Sequence, residues 1–104
     1  MTDNLILNIA IAARKISHDR ITVLFDAEYR TKFMHDKLSK LDMSSKYYNK
    51  LARTISEQDK YMSYRREWMT SDECHLADIL SNLDLNTMSM RRDSIVRAIH
   101  HFKI

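Results

Sequence analysis

Apolar side chains recur along this chain at spacings of three and four, the period of helices buried on one face. Leu5, Ile9, Ala12 and Ile16, widened by Ile6 and Ala13, predict a first helix over 4–16, with Thr2 or Asp3 as its N-cap. Ser17 and Asp19 are able to break the chain and cap a second helix, although one bent rod fits the pattern equally well. The stretch ITVLF has strand-like, β-branched composition. A lone strand, however, has no sheet to join, and Val23, Ala27, Met34, Leu38 and Leu41 continue a helical stripe, so a second helix is expected over 20–41.

LDMSSK supplies the next break, with Ser44 or Ser45 as N-cap. Tyr48, Leu51, Ile55, Met62 and Met69 then share one face at heptad-like spacing, and Tyr47, Tyr61, Tyr64 and Trp68 lie beside it. The pattern predicts a long third helix over 45–69, about 37 Å if straight. Thr70 and Glu73 are spaced as a capping box ahead of a helix over 72–83, whose buried stripe is Leu76, Ile79, Leu80 and Leu83. DLNTMS breaks the chain again before a final helix over 88–102 marked by Met88, Ile95, Ile99 and Phe102. The expected fold is all-α: a small bundle of about five helices with one long central helix (about 45–69) and a C-terminal helical hairpin, forming a single helical domain over 1–104.

Composition sharpens this. The chain has no glycine and no proline, which disfavours tight-turned β architectures and glycine-dependent nucleotide-binding folds. Its single cysteine, Cys74, has no internal disulfide partner, and MTDN lacks a basic leader region, so a cytoplasmic location is expected. The most apolar run, LILNIAIAA, falls far short of the ~20 residues a membrane span needs. No membrane partner is expected. Net charge is +3, a mild bias for a nucleic-acid binder. Its distribution is uneven, because Asp72, Glu73, Asp78 and Asp84 precede Arg91, Arg92, Arg97 and Lys103.

Several patterns bear on function. The last two helices have the outline of a helix-turn-helix, with Arg91 and Arg92 near the start of the second and Arg97 and Lys103 further along. Against it, the turn has no glycine and the preceding helix is acidic; a plain αα-hairpin, its arginines solvated or paired with Asp78 and Asp84, carries more weight. In helix three, basic and aromatic residues interleave, and five of the nine aromatic residues fall within 47–68. That is more than one face of a small bundle buries, and Tyr, Trp and Arg are favoured at interface hot spots. The same residue types stack on single-stranded bases, and the plain alternative is that Tyr48, Tyr61 and Trp68 line the core with hydroxyls at its rim while Lys and Arg form the wet face.

Other chemistry has little support. Cys74 and His75, like His100 and His101, are neighbours that diverge on a helix and do not chelate together, so no metal or other cofactor is expected. Cys74 near a helix N-terminus has no orienting third group, and no catalytic residue is assigned. The seven methionines fit core filling better than an adaptable groove. The expected role is therefore that of a small, non-enzymatic helical interaction protein: an adaptor, inhibitor or regulator of the kind phages and plasmids also carry. Its candidate surface is Tyr47, Lys50, Arg53, Tyr61, Tyr64, Arg65 and Trp68. The alternatives are a DNA-binding regulator using 72–102 and a self-associating helical protein, a homodimer through helix three.

Overall fold

The computed structural model describes the backbone of residues 2–102 and the side chains of residue 5 and residues 7–97. Among these residues the chain forms α1 (Thr2–Ala13), α2 (His18–Ser39), α3 (Lys46–Tyr64), α4 (Ser71–Ser81) and α5 (Leu85–Phe102), with a 3-10 turn, Arg65–Trp68, between α3 and α4 and no strand. The all-α reading holds. The side chains of Thr2, Asp3, Ile6, Ile99, His100, His101, Phe102 and Lys103 lie outside the described residues.

The caps explain the boundaries. The Ser17 hydroxyl accepts from the Arg20 amide at 3.3 Å, so α1 and α2 are separate helices and ITVLF lies inside the second. Ser45 caps α3 by accepting from the Tyr47 amide. Thr70 and Glu73 form both halves of the capping box, the Glu73 amide reaching Thr70 at 3.1 Å and the Thr70 amide reaching Glu73 at 3.2 Å. The last helix begins three residues earlier than its apolar pattern suggests. An Asp84 carboxylate oxygen accepts from the Thr87 amide at 2.6 Å, so DLNTMS opens α5 rather than breaking the chain. The long central helix is shorter than expected, because its last turn tightens to 3-10 geometry at 65–68 and leaves α3 ending at Tyr64.

Packing divides the helices unevenly. α1, the first half of α2, α4 and α5 surround one core, built from Ile9, Ala13, Ile16, Ile21, Leu24, Phe25, Leu76, Leu80, Leu83, Met88 and Ile95. α4 and α5 are joined by a turn over 82–84, and each packs on α1 and α2. α3 packs principally on α2 and forms with its second half an antiparallel arm. Ile55 is the one buried apolar residue between Phe25 and Leu76 among the described residues. The molecule is accordingly elongated, 50 × 30 × 19 Å with a radius of gyration of 15.0 Å, against about 13 Å for a compact chain of this length.

One stripe needs correction. Val23 is half exposed, whereas Ile21, Leu24, Phe25 and Glu28 are buried. Near its start α2 is covered by α4 and α5, so a wider sector of it is buried than the line through Ala27, Met34, Leu38 and Leu41.

Candidate functional site

α3 carries two heptad seams offset by one residue. The inner seam, Tyr48, Leu51, Ile55, Gln58 and Met62, is buried or half-buried in the arm. The outer seam is Tyr47, Lys50, Thr54, Glu57, Tyr61 and Tyr64, alternating steps of three and four, with Trp68 of the following 3-10 turn beside its end, and every one of these residues is exposed. Its aromatic members stand well into solvent: Tyr47 is 60% exposed, Tyr61 52%, Tyr64 53% and Trp68 66%. Tyr61, Tyr64 and Trp68 cluster toward the base of the arm, with Tyr47 set apart from them by Lys50, Thr54 and Glu57; exposed aromatic clusters are the kind of patch that marks an interaction site.

The rings at the base of the arm are held in place. Tyr64 and Trp68 meet edge to face with centroids 4.5 Å apart and planes at 80°, a favoured aromatic geometry. At the tip, the Lys46 ammonium sits over the Tyr47 ring, 5.2 Å from its centre. Beside it, Lys37, Leu41, Tyr47, Lys50, Leu51 and Thr54 line a cleft of about 330 Å³ between the ends of α2 and α3.

Arg65 departs from the expected surface. Continuing the inner seam three residues past Met62 lands on Arg65, so its side chain turns inward while Tyr64 and Trp68 turn out. It is 5% exposed, and its guanidinium donates to the Glu28 carboxylate at 2.9 Å. Burial pushes the Glu28 carboxyl above its usual range despite the pull of Arg65, and burial likewise lowers the Arg65 pKa against the attraction of Glu28. Arg65 stays charged. Its Nε finds no hydrogen-bond partner among the described residues.

Two further pairs surround this joint between arm and body. Arg66 donates to Asp78 at 2.6 Å, which raises the Arg66 pKa. Arg20 pairs with Glu73, which holds that carboxyl below its usual range with help from the Thr70 amide. The 3-10 turn is thus pinned to α2 by one arginine and to α4 by the next. The sequence carries a signal for this: Glu28 and Arg65 are opposite charges filling gaps in two largely apolar stripes.

The remaining candidates are less converged. Arg53 is exposed on α3. Arg91 is half-buried, Arg92 pairs with Asp26 on α2 at 3.4 Å, and Arg97 is exposed elsewhere on α5, so the three do not form one face. Lys103 lies outside the described residues. Cys74 is half-buried with its Sγ 4.0 Å from the Arg66 carbonyl oxygen. Among the described residues no group of three or more His, Cys, Asp or Glu is arranged to hold a metal ion, and no helix is long and apolar enough to cross a membrane.

No family model matches the sequence, and no curated protein or solved structure matches it either. The functional reading therefore rests on the chain's own geometry.

Proposed function

We propose that this chain is a protein-binding module, an adaptor, inhibitor or small regulator, that docks a helical segment of its partner along the outer seam of α3. The observation that carries this reading is the exposure of Tyr47, Tyr61 and Tyr64 on the outer seam of the arm and of Trp68 against Tyr64 at its base. A partner helix laid along such a seam inserts its own side chains between these rings, the helix-in-groove mode of recognition. Tyr and Trp offer large area at small entropic cost, so a few of them supply most of the binding energy.

A DNA-reading role for α4 and α5 has weaker support. The short turn over 82–84 suits it. Arg92, however, is held by Asp26, and the exposed Asp72 of α4 would repel a phosphate backbone.

The experiment is a pair of truncations, Tyr64→Ala and Trp68→Ala. Both should leave the helical circular-dichroism signal unchanged and weaken partner capture at least about tenfold, as hot-spot residues do. Captured partner in undiminished yield from both variants contradicts the proposal. Trp68 is the only tryptophan, so its emission reports directly on occupation of the seam. Light scattering separates a foreign partner from a second copy, since self-association would appear as a dimer that dilution dissociates.

A further inference from the structure

One edge of the outer seam is basic along most of its length. With Tyr47, Thr54, Tyr61 and Trp68 at one seam position of the heptad and Lys50, Glu57 and Tyr64 at the other, the residue preceding each of the first set flanks the seam. Those residues are Lys46, Arg53, Lys60 and Glu67, all exposed. Lys46, Arg53 and Lys60 make no ion pair among the described residues. The opposite flank, Leu51, Gln58 and Arg65, faces α2 and is half-buried or buried. A helix laid on the seam therefore meets free charge on one side only, and over three successive heptads that charge is positive.

At the arm tip the bias deepens. Lys50 stands within the seam, and with Lys37 it lines the cleft whose other walls are Leu41, Tyr47, Leu51 and Thr54. No acid lines that cleft. Its volume, about 330 Å³, suits an apolar side chain with a carboxylate nearby. Resting on the docking function proposed above, we infer that the partner segment is an acidic amphipathic helix. Its apolar seam covers the Tyr47–Trp68 line, and its flanking carboxylates meet Lys46, Arg53 and Lys60.

Flanking charges in paired helices set partner choice more than raw affinity. A polynucleotide is also polyanionic and stacks on aromatic rings. Two features favour a helix: the rings repeat at helical rather than base-stacking intervals, and the exposed Glu57 interrupts the seam where a phosphate chain would run.

The test uses the full chain and two synthetic amphipathic peptides with identical leucine seams, one with glutamate on both flanks and the other with lysine. Binding is followed by peptide anisotropy and by Trp68 emission. The glutamate peptide should bind at least about tenfold more tightly, with the advantage shrinking as salt is added. The combined variant Lys46→Glu, Arg53→Glu and Lys60→Glu, all on exposed positions, should reverse the preference while keeping its helicity. Equal binding of both peptides to the wild-type chain overturns the acidic preference but leaves helix docking standing. Binding of neither, or undiminished binding to a Tyr64→Ala, Trp68→Ala double variant, overturns the docking reading itself. Tighter binding of an oligothymidine strand than of the glutamate peptide overturns the inference in favour of nucleic acid.

Discussion

The body and the arm are made of similar helices but meet solvent differently. In the body, α1, α4, α5 and the start of α2 close around Leu24, Phe25, Leu76 and Met88, each 2% exposed or less. In the arm two helices cover only the faces they turn toward each other, so Ile55 is sealed while Phe33, Tyr47 and Tyr61 remain about half exposed or more. Apolar residues recur at helical spacing in both, most sharply in α3. The two also differ in how many neighbours surround each helix, and that leaves α3 with a finished inner seam and an uncovered outer one.

The largest expected effects come from the body. Phe25→Ala or Leu76→Ala should lower unfolding free energy by about 3–5 kcal/mol, because a fully enclosed site relaxes poorly around the cavity. Ile55→Ala in the arm should cost about 2 kcal/mol, since solvent lies close by to fill the space. Urea denaturation measures both. A larger loss at Ile55 than at Leu76 would mean that the arm, rather than the body, holds the main core.

Next comes the joint. Removing one member of the buried pair, by Arg65→Met or Glu28→Ala, should cost about 3 kcal/mol by stranding the other charge. The double replacement Glu28→Leu with Arg65→Met should recover most of that loss, as burial already works against both charges. Its cost should fall on placement instead: Tyr64 and Trp68 would lose their fixed relation to the body, and partner affinity would drop although stability returns. A double variant as unstable as the singles would show that the pair is itself a net source of stability.

The two carboxyls at the joint respond oppositely to pH. Glu73 has a depressed pKa, so the stability it contributes is present above its unfolded value of about 4.5 and is lost as pH falls through its native value. The deficit of Glu73→Gln should therefore shrink on acidification below pH 4.5. Glu28 has a raised pKa, so its contribution is complete below pH 4.5 and is lost as pH rises through its native value. Glu28→Gln should gain on the wild type over that rise. Parallel pH profiles for the two variants would contradict the environments assigned to them.

The smallest stability effects belong to the outer seam. Tyr61→Ala should shift unfolding by no more than about 0.5 kcal/mol, as surface changes do, and Trp68→Ala by about 1 kcal/mol, since it also loses the edge-to-face contact with Tyr64. Hydrogen exchange sharpens the contrast, since amides over 34–60 should open at lower free energy than those around Leu24 and Leu76.

Much of this is legible in the sequence. The absence of glycine and proline, the apolar stripes and the Thr70–Glu73 capping box lead to the all-α fold and to most helix boundaries within a few residues. Capping chemistry hides the start of α5, because Asp84 and Thr87 read as a break when they are the first turn. Arg65 departs from its expected place because its residue type suggests surface while its position on the inner seam requires burial. The two seams differ by a single residue. The inner one carries Leu51, Ile55 and Met62 where the outer carries Lys50, Thr54 and Glu57, so the seam that α2 covers is legible from its apolar content, whereas the pairing of Arg65 with Glu28 across helices is not.

The most direct test of the central claim is the accessibility of Trp68 in the isolated, monomeric chain. Its indole should emit near the wavelength of tryptophan in water and be quenched efficiently by acrylamide, with both effects diminished once a helical partner is bound. Blue-shifted, poorly quenched emission from the free monomer would place the ring inside the fold and contradict it.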